Sequence, residues 1–487
     1  MNGSIHGGAR FELLKPRGDR MSEECGVIGA FDPTGAPVGD ILYYGLYALQ
    51  HRGQESAGIA VSDGAKIHYL KDKGLVTECF QSGAALEDLG AGYLGIGHVR
   101  YSTAGDKQMV NAQPLVIRYG GGDLALAHNG NLINAGAIRG YIQSRGGILQ
   151  TDVDTEVIAN LIARRSHMPL VEALSATSAD IQGSYALVLL TEDKLLAMRD
   201  PLGIRPLALG KAGDAYVVAS ESCAFDAVGG ELIRDIRPGE ILVADRDGLH
   251  SHQTQVPLHS DLCIFEFVYF ARTDTQMDGI SVYEAREKAG MLLAKKHPVE
   301  ADIVVGVPDS AIPAAIGYSK ASGIPYGEGL AKNRYVGRTF IQPQQAQREE
   351  SVKIKLNALK KNVQGKRVVL VDDSIVRGTT SRKIVEMLRS AGAREVHMRI
   401  SSPQVTHPCY FGIDIAEPTE LIGAGMDVEG IRQRIGADSL AYLTLGDLLK
   451  TVEGSGCGFC HGCFNGNYPM DVENLRGYEP REGAQYE

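Results

Sequence analysis

The segment from Arg367 to Thr380 limits the possible folds more than any other part of the sequence. The apolar residues Val368–Val371 are followed at once by Asp372 and Asp373, and then by a turn rich in Gly and Thr. A strand that is apolar at every position is typical of a parallel sheet covered by helices on both faces. The surrounding residues alternate between strand and helix patterns, as such a sheet requires.

This alternation extends over most of the second half of the chain. The predicted strands are Cys263–Phe270, Asp302–Val307, Arg367–Val371 and Glu395–Ile400, and the predicted helices are Val282–Lys296, Ser310–Lys320 and Thr380–Ala391. We therefore predict an α/β domain with a parallel sheet. The long polar stretch Gly327–Ser351 interrupts it, and a loop of this length in a compact domain is usually functional, often as a lid.

The first half has a different pattern, in which strands follow one another in runs. The predicted strands are Val27–Phe31, Gly58–Val61, Lys66–Leu70, Leu94–His98, Leu124–Ala127 and Ser184–Leu190, and the predicted helices are Asp40–Leu49 and Thr155–Arg165. Such runs favour an α+β domain. The change of pattern falls in the polar segment Arg237–Asp261.

A chain of 487 residues exceeds what one hydrophobic core usually supports, so we expect more than one domain. We assign residues 1–24 to a leader, 25–255 to the α+β domain, 256–450 to the α/β domain and 451–487 to a cysteine-containing tail. The leader is rich in Gly and Arg and has neither helical nor strand periodicity.

Composition excludes several classes of protein. The net charge of −10 argues against a nucleic-acid partner, although a local basic patch runs from Lys332 to Lys361. No window of 18 apolar residues predicts a membrane span, and the first twenty residues lack the apolar run of a signal peptide. The eight cysteines lie in a chain too large to need disulfides, which favours a reducing, cytoplasmic compartment.

The turn after Asp373 has the features of an anion site. A turn that leads into a helix points backbone N–H groups and the positive end of the helix dipole outward, which suits a phosphate. The two carboxylates suit ribose hydroxyls or Mg²⁺. A generic strand, loop and helix would explain the strand but not the whole run, and no Walker motif is present.

Five motifs of the first half carry polar residues in turns and at strand ends. They are Cys25-Gly-Val-Ile-Gly29, Gln50-His-Arg-Gly-Gln-Glu-Ser-Ala-Gly58, His98-Val-Arg-Tyr-Ser-Thr103, Ala127-His-Asn-Gly-Asn131 and Asp152-Val-Asp-Thr-Glu156. Alone, a cysteine before a strand is more often inert packing than a nucleophile. In this order, the five motifs resemble the class II glutamine amidotransferases, which are N-terminal-nucleophile hydrolases with stacked antiparallel sheets between helices.

This resemblance implies that Cys25 attacks the glutamine amide as residue one of the mature chain. Its own α-amino group, whose pKa in simple peptides is about 8, is then the general base. Residues 1–24 must therefore be removed, and Met21 is an alternative start that would leave a shorter leader. The family also assigns the oxyanion hole to the Asn129 side chain and the Gly130 N–H.

The same resemblance assigns the substrate's charged groups. Arg100 binds the glutamine α-carboxylate, for which a planar bidentate donor is well shaped. Asp154 receives the α-ammonium group. Two simpler interpretations stay open, a surface ion pair for Arg100 and a helix N-cap for Asp154.

The Arg367–Thr380 run resembles the signature of the type I phosphoribosyltransferases, which implies a phosphoribosyl pyrophosphate site. By that resemblance Asp372 and Asp373 contact ribose and Mg²⁺, and Ser374, Arg377, Gly378 and Thr379 belong to the loop around the 5′-phosphate. A further residue, Ser310, follows the strand Asp302–Val307 and lies near Mg²⁺ and the pyrophosphate in the amidotransferase family. The polar loop carries Lys332 and Arg334 as candidate pyrophosphate contacts, although a charge run is usually only a solvated face.

The tail motif Cys460-His-Gly-Cys463 before Tyr468-Pro469 resembles the cluster-containing branch of the amidotransferases. In that branch two distant cysteines, matched here by Cys263 and Cys409, complete a [4Fe–4S] site. Spacing alone would suit tetrahedral zinc equally well. The remaining cysteine of the motif, Cys457, is either a spare thiol or an alternate ligand.

Together the two halves resemble the glutamine phosphoribosylpyrophosphate amidotransferases. The resemblance implies transfer of ammonia from glutamine to phosphoribosyl pyrophosphate with Mg²⁺, giving phosphoribosylamine, glutamate and pyrophosphate at the first step of de novo purine synthesis. It also implies a homo-dimer or tetramer and inhibition by purine nucleotides. The alternatives are a class II amidotransferase with another acceptor and a non-catalytic iron–sulfur sensor.

Overall fold

The computed structural model describes residues 25–80, 89–101, 109–254, 259–333, 356–413 and 418–472. Within this part of the chain, no helix is both long and apolar enough to cross a membrane. The leader at residues 1–24, most of the polar loop with Arg334, and the end of the tail lie outside the described residues.

The first half forms two stacked antiparallel sheets. The seven-stranded sheet has the order β11-β9-β10-β1-β4-β2-β3. Its strands are β1 Gly26–Phe31, β2 Ser56–Ser62, β3 Ile67–Lys73, β4 Leu94–Arg100, β9 Ala208–Ala212, β10 Ala215–Ala219 and β11 Glu231–Asp235. The six-stranded sheet has the order β13-β12-β8-β7-β6-β5. Its strands are β5 Leu115–Tyr119, β6 Gly122–Leu132, β7 Gly183–Leu190, β8 Leu195–Arg199, β12 Glu240–Asp245 and β13 Gly248–Gln253.

Helices cover the outer face of each sheet. They are α1 Gly39–Ala48, α2 Val76–Cys79, α3 Ala135–Ser144, α4 Asp154–Ala163, α5 Leu170–Asp180 and α6 Cys223–Ala227. Buried residues of β1, β4, β7 and β10 form one core between the sheets, and two further cores lie under the helices. This arrangement confirms the predicted α+β domain with stacked sheets between helices.

The second half contains the predicted parallel sheet. Its order is β17-β20-β21-β22, and its strands are β17 Ile303–Gly306, β20 Arg367–Asp372, β21 Glu395–Ile400 and β22 Ser439–Tyr442. Val369 and Val371 face one core, whereas Val368 and Leu370 face another. The strand is therefore buried on both faces, as its apolar sequence predicted.

Eight α-helices are described in this half. They are α7 Val282–Lys296, α8 Ile312–Ser322, α9 Lys360–Val363, α10 Thr379–Ser390, α11 Ile422–Gly425, α12 Val428–Ile435, α13 Leu445–Thr451 and α14 Gly462–Asn465. The short strands are β14 Asp261–Cys263, β15 Gln276–Met277, β16 Ile280–Ser281, β18 Leu330–Lys332, β19 Leu356–Ala358 and β23 Gly458–Cys460. β14 pairs with β23 of the tail, so the tail is part of the folded body.

The structure corrects one prediction and locates the change of pattern more closely. Cys263–Phe270 is not one strand, because β14 ends at Cys263 and a π-helix, Glu266–Phe270, follows. Short apolar runs cannot be assigned by periodicity alone, and this one contains the fully buried Glu266. The polar segment Arg237–Asp261 contains β12 and β13, so the chain leaves the amino-terminal sheets only after Gln253.

Helices α7 and α8 approach each other through glycines. A Cβ atom at Gly290 would lie 1.8 Å from the Ala314 carbonyl oxygen, and one at Gly317 would lie 1.9 Å from that of Glu287. Because both obstacles are backbone atoms, the helices would have to move apart to accept a methyl group.

We expect Gly290→Ala to lower the free energy of unfolding by about 1 to 3 kcal/mol, the usual cost of overpacking. The matched control is Gly140→Ala, at an exposed position of α3 where an added Cβ meets no atom within 4 Å. It should be neutral or stabilising by up to about 1 kcal/mol, because Ala favours helix over Gly. Urea unfolding measures both, and equal effects would contradict the close approach.

Candidate functional site

Cys25 lies at one end of the two-sheet stack, directly before β1. The register of β1 on β4 pairs Gly26 with Val99, which places Cys25 beside Arg100 at the end of β4. The Cys25 Sγ donates a hydrogen bond to the Tyr101 carbonyl oxygen at 3.4 Å. Cys25 is half-buried and Arg100 is buried. The candidate nucleophile and the candidate carboxylate-binding cation therefore share one end of a strand pair.

The turn Gln50–Glu55 reaches the same place because of Gly53. A Cβ atom at Gly53 would lie 2.6 Å from the backbone carbonyl carbons of Val99 and Arg100. Only glycine allows the turn to lie so close to the end of β4. This contact explains why the sequence places a glycine in that polar turn.

Asn129 has the features of a ligand-binding side chain. It is almost fully buried on β6, and neither its Oδ1 nor its Nδ2 has a hydrogen-bond partner. Buried amides are nearly always paired, so an unpaired one calls for a specific explanation. A bound substrate oxygen would supply the missing acceptor for Nδ2.

Gly130 adopts a backbone conformation that favours glycine, with φ +147°. A Cβ atom there would lie 2.1 Å from the Ser184 carbonyl oxygen on β7. The position therefore excludes any other residue, since backbone atoms of a paired strand cannot move aside. The Asn129–Gly130 pair joins an unpaired side-chain donor to a closely fixed backbone N–H.

Asp154 is the first residue of α4, and Val153 is the N-cap, so the N-cap interpretation for Asp154 is wrong. Its Oδ1 lies 3.2 Å from His128 Nδ1, and its Oδ2 accepts the Leu132 N–H at 2.9 Å. Burial raises the pKa of Asp154, but His128 and the Leu132 N–H outweigh it and hold the pKa below its ordinary value. The carboxylate is therefore kept charged next to β6.

Sequence reasoning missed the histidines that connect the two sheets. His98 Nε2 lies 3.1 Å from the His128 carbonyl oxygen, which joins β4 near Arg100 to β6 near Asn129. Burial lowers the pKa of His98 to about 3, so its ring is neutral. Both histidines stand within quoted motifs, but only the fold shows that they face each other.

The second site is a cleft of about 480 Å³ at the carboxyl end of the parallel sheet. The lining residues are Tyr269, Val307, Pro308, Ser310, Asp372, Asp373, Ser374, Ile375, Val376, Gly378, Thr380 and Ser381. Apart from Tyr269, they come from the ends of β17 and β20, from the turns that follow these strands, and from the start of α10. This is the edge at which open α/β sheets usually bind ligands.

Asp373 is at the centre of the polar groups in this cleft. Its Oδ2 accepts a hydrogen bond from Ser310 Oγ at 2.5 Å, and its Oδ1 accepts one from Ser374 Oγ at 2.6 Å. The Asp373 N–H in turn donates to Asp372 Oδ1 at 3.0 Å. Both aspartates are buried. The structure therefore brings the two predicted acids and Ser310 together.

The predicted phosphate loop is only partly directed into the cleft. Gly378 is the N-cap of α10 with φ +81°, and it lines the cleft together with Thr380. Arg377 donates to Glu420 Oε2 at 2.6 Å, so its guanidinium is shared with a neighbouring loop. Sequence reasoning selected Thr379, which begins the helix, and missed Thr380. The first turn of α10 still presents N–H groups to an anion.

Lys332 ends β18 and pairs with Asp309, which follows the cleft residue Pro308. This contact brings one of the two predicted loop cations to the rim of the cleft. The other, Arg334, lies outside the described residues.

The π-helix Glu266–Phe270 connects the two sites. The sequence did not predict this connection, because it predicted a strand at these residues. Tyr269 of this helix lines the cleft, and Glu266 pairs with Arg52 of the Gln50–Glu55 turn at 2.5 Å. Arg286 of α7 donates to the carbonyl oxygens of Phe267 at 2.7 Å and Ala271 at 2.8 Å. π-Helices are rare and frequently lie at functional sites.

The four cysteines predicted as ligands lie together between the tail and the body. β14 and β23 pair Cys263 with Cys460. Burial raises the pKa of Cys460 to about 12 and the pKa of Cys463 well above its ordinary value, and the neighbouring Cys409 thiol raises both. Among the described residues, no three Cys, His, Asp or Glu side chains are arranged to hold one metal ion.

Cys457 has a different environment. Its pKa is raised by burial, and its charged neighbours are Asp278, Arg199 and Asp235 rather than the other thiols. A hydrogen bond with Ser455 also reaches it.

Two protein families match separate parts of the chain. The glutamine amidotransferase domain family matches residues 98–227, which include Arg100, Asn129 and Asp154. The phosphoribosyl transferase domain family matches residues 281–401, which include both aspartates of the cleft.

Proteins of similar length match nearly the whole chain. The amidophosphoribosyltransferase of Bacillus subtilis (strain 168) is 51% identical over 457 residues, which cover 93% of this chain and 95% of the relative. The amidophosphoribosyltransferase of Archaeoglobus fulgidus is 50% identical over 454 residues, which cover 92% of this chain and 98% of the relative.

Two solved structures share the fold over most of their length. One is the glutamine phosphoribosylpyrophosphate amidotransferase of B. subtilis in complex with ADP and GMP, with a TM-score of 0.86 and 50% identity over 92% of this chain and 98% of that chain. The other is described as the allosteric regulatory enzyme of purine biosynthesis, with a TM-score of 0.87 and 50% identity over 92% of this chain and 97% of that chain.

The low pKa of Asp154 leads to a test of this site. A carboxylate with a lowered folded-state pKa contributes stability that is present above the unfolded value, about 4, and is lost as the pH falls through the folded value. We expect Asp154→Asn to lower the free energy of unfolding at neutral pH by about 1 to 3 kcal/mol, as for hydrogen bonds to charged groups. The difference from the parent protein should shrink below about pH 4.

Urea unfolding from neutral pH to about pH 3 measures this dependence. The control is Asp226→Asn at an exposed position of α6, which should change the free energy of unfolding by less than about 0.5 kcal/mol, as surface substitutions usually do. An Asp154→Asn effect that stays constant over the whole pH range would show that packing, rather than charge, is responsible.

Proposed function

Because the chain belongs to the amidophosphoribosyltransferase family, whose members catalyse the first step of de novo purine synthesis, we propose that its two sites divide one reaction between them. The site at Cys25 releases ammonia from glutamine, and the cleft at Asp372 and Asp373 transfers it to phosphoribosyl pyrophosphate. One observation supports two separate sites most directly. The buried side-chain amide of Asn129 has no hydrogen-bond partner, and the same chain carries the acid pair Asp372 and Asp373.

In the proposed glutaminase step, the Cys25 sulfur attacks the amide carbon of glutamine. The tetrahedral oxyanion is stabilised by Asn129 Nδ2 and the Gly130 N–H, and its collapse expels ammonia and leaves a thioester that water hydrolyses to glutamate. A preorganised donor of this kind is worth about 3 to 4 kcal/mol in comparable enzymes. The α-amino group of Cys25 serves as the base once residues 1–24 have been removed.

Arg100 and Asp154 are proposed to bind the backbone of glutamine. Arg100 is buried next to Cys25, so a carboxylate bound there is held in a place of low solvent exposure. Asp154 remains charged, because His128 and the Leu132 N–H stabilise its carboxylate. A free α-ammonium group could then pair with it.

At the second site, ammonia attacks the anomeric carbon of phosphoribosyl pyrophosphate, and pyrophosphate leaves. Positioning and charge stabilisation should account for most of the rate, since ammonia is already a nucleophile. Asp372 and Asp373 would hold the ribose hydroxyls, and Ser374, Arg377, Gly378 and Thr379 would surround the 5′-phosphate. Lys332 and Arg334 are the proposed pyrophosphate contacts.

Mg²⁺ is the metal that this transferase family implies, and the cleft suits it. Mg²⁺ prefers oxygen ligands, and carboxylates with substrate phosphates are its usual partners in such sites. Ser310, Asp372 and Asp373 would hold it, because their oxygen atoms already lie within one hydrogen-bonded group. When bound, it would neutralise charge on the leaving pyrophosphate.

We also propose a [4Fe–4S] cluster on Cys263, Cys409, Cys460 and Cys463. Zinc would require thiolates about 4 Å apart around one ion, since each Zn–S bond is about 2.3 Å, and the described side chains do not form such a group. A four-iron cluster is larger and spreads its four thiolates further apart. The proximity of buried, neutral thiols supports a site that deprotonates them on binding.

Several wider features of the family come to this chain as proposals. They are domain limits at residues 25–255 and 256–450, a tail at 451–487, a reducing cytoplasmic location, and assembly as a homo-dimer or tetramer. Purine nucleotides are the proposed inhibitors, since the similar B. subtilis enzyme was solved with ADP and GMP.

The two-site proposal is tested by Cys25→Ala. We expect loss of glutamine-dependent glutamate and pyrophosphate release, by about a thousandfold or more for a lost nucleophile, and retention of pyrophosphate release with high free ammonia. Cys79→Ala, at a half-buried thiol on α2, is the control and should retain both activities.

Loss of both activities in Cys25→Ala would show that the two reactions do not occupy separable sites. Absence of pyrophosphate release from the parent protein under any condition would instead favour another acceptor. The intact mass of the active parent enzyme should correspond to a chain that begins at Cys25.

The cluster proposal is tested by a pair of cysteine variants. We expect Cys463→Ser to lose most of its iron and acid-labile sulfide, because Cys463 lies with the other thiols. Cys457→Ser should keep the iron and sulfide content of the parent protein, because its neighbours are Asp278 and Arg199. Zinc at one ion per chain in anaerobically purified protein would contradict the iron–sulfur proposal.

A further inference from the structure

The segment that follows Cys409 docks on the proposed oxyanion hole. Three backbone contacts are involved: Asn131 Nδ2 donates to the Tyr410 carbonyl oxygen at 2.9 Å, Ser184 Oγ donates to the Phe411 carbonyl oxygen at 2.8 Å, and Arg205 donates to the same Phe411 oxygen. Tyr410–Gly412 is here called the docking segment. It reaches β6 and β7 from more than two hundred residues further along the chain.

Gly412 touches Gly130 itself. A Cβ atom at Gly412, where φ is +99°, would lie 3.0 Å from Arg205 Nη2, 3.1 Å from the Gly130 carbonyl carbon and 3.3 Å from the Gly130 oxygen. On its other side, Gly130 is pressed against the Ser184 carbonyl oxygen, 2.1 Å from where its own Cβ would be. The residue that carries the oxyanion N–H is therefore confined between β7 and the docking segment.

The docking segment is also attached to the proposed cluster. The Phe411 N–H donates to Cys409 Sγ at 3.4 Å, while the Phe411 carbonyl oxygen accepts from Ser184. One peptide residue thus connects the sulfur atom to the strand next to Gly130. A thiolate is a stronger acceptor than a thiol, so ligation of Cys409 would strengthen the Phe411 N–H···S bond and fix the segment.

We propose that the docking segment makes the oxyanion hole of the glutaminase site depend on ligation of Cys409. Asn131, Ser184 and Gly412 are positioning residues in this scheme, since none of them needs to touch glutamine. The proposal rests on the proposed roles of Gly130 and Cys409. Without this link, the proposed cluster would only cross-link the tail to the body. With it, the cluster would also affect the rate of the glutaminase reaction, because small displacements of an oxyanion donor are costly.

The sharpest test is Gly412→Ala, compared with Gly248→Ala. Both glycines have a positive φ, +99° and +116°, but a Cβ at Gly248 meets no atom within 4 Å. The first variant therefore adds contacts on Gly130 and on Arg205, which itself holds the docking segment, whereas the second adds only comparable backbone strain. A second pair is Ser184→Ala against Ser178→Ala, whose hydroxyl bonds to Tyr185 instead of the docking segment.

The readout is the rate at which 6-diazo-5-oxonorleucine, a glutamine analogue, alkylates Cys25, followed by intact mass. We expect a fall of about tenfold or more in Gly412→Ala and a smaller one in Ser184→Ala, since loss of an oxyanion donor costs about 10²- to 10³-fold. Ammonia-dependent pyrophosphate release and iron content should stay near those of the parent protein. Unchanged alkylation in Gly412→Ala, or an equal fall in Gly248→Ala, would overturn the proposal.

The dependence on Cys409 is tested in the parent protein after oxidative removal of iron and sulfide. We expect alkylation of Cys25 to slow as it does in Gly412→Ala, with circular dichroism reporting whether the fold is kept. Alkylation at the parent rate in folded, iron-free protein would contradict the link to Cys409. A protein that contains no iron as purified would contradict the cluster proposal, while the two glycine variants would still test the docking segment.

Discussion

A buried group of charges holds the two halves of this protein together. Arg52 lies between Glu221 and Glu266 and is almost fully buried, as both carboxylates are. Burial raises the pKa of Glu221, but Arg52 and His51 outweigh it and hold the pKa well below its ordinary value. Removing one partner of such a group costs about 3 to 5 kcal/mol, because the others are left charged and unpaired. The halves must therefore meet in one arrangement.

The same group determines where the sites lie. Glu266 begins the π-helix whose Tyr269 lines the phosphoribosyl cleft, and Arg52 belongs to the turn that Gly53 presses against the end of β4. Arg286 secures the π-helix from the other side through three backbone carbonyl oxygens. The glutaminase turn and the wall of the transferase cleft are thus two ends of one set of buried contacts.

Much of the fold could be predicted from the sequence because local periodicity reports burial. α7 and β21 have the predicted limits to the residue, and β20 differs by one residue. The prediction of a strand at Cys263–Phe270 failed because the buried Glu266 is explained by distant partners, Arg52 more than two hundred residues earlier and Arg205. Periodicity alone cannot distinguish a strand from a π-helix in a run of eight residues of which seven are apolar or aromatic.

The residues of the candidate sites also fall into two groups, those that local sequence motifs reveal and those that only long-range contacts reveal. Cys25, Asn129, Gly130 and Asp373 stand in short motifs, so sequence alone could select them. The residues around them could not be selected in this way. His98 contacts the backbone of His128 on the other sheet, and Gly412 lies next to Gly130. Tyr269 lines the cleft from a π-helix that the sequence had predicted as a strand. Each of these depends on a long-range contact that leaves no local pattern.

Close backbone approach explains why those long-range contacts matter to the chemistry. A side chain can change rotamer to accommodate a shift, but the backbone of Gly130 cannot, since the Ser184 carbonyl oxygen lies beside its Cα and Gly412 lies beside its carbonyl group. Stabilisation of an oxyanion depends on donors fixed about 3 Å from the oxygen before the reaction starts. In the site proposed for this protein, that position would be set by both halves of the chain, because β7 lies on one side of Gly130 and the docking segment on the other.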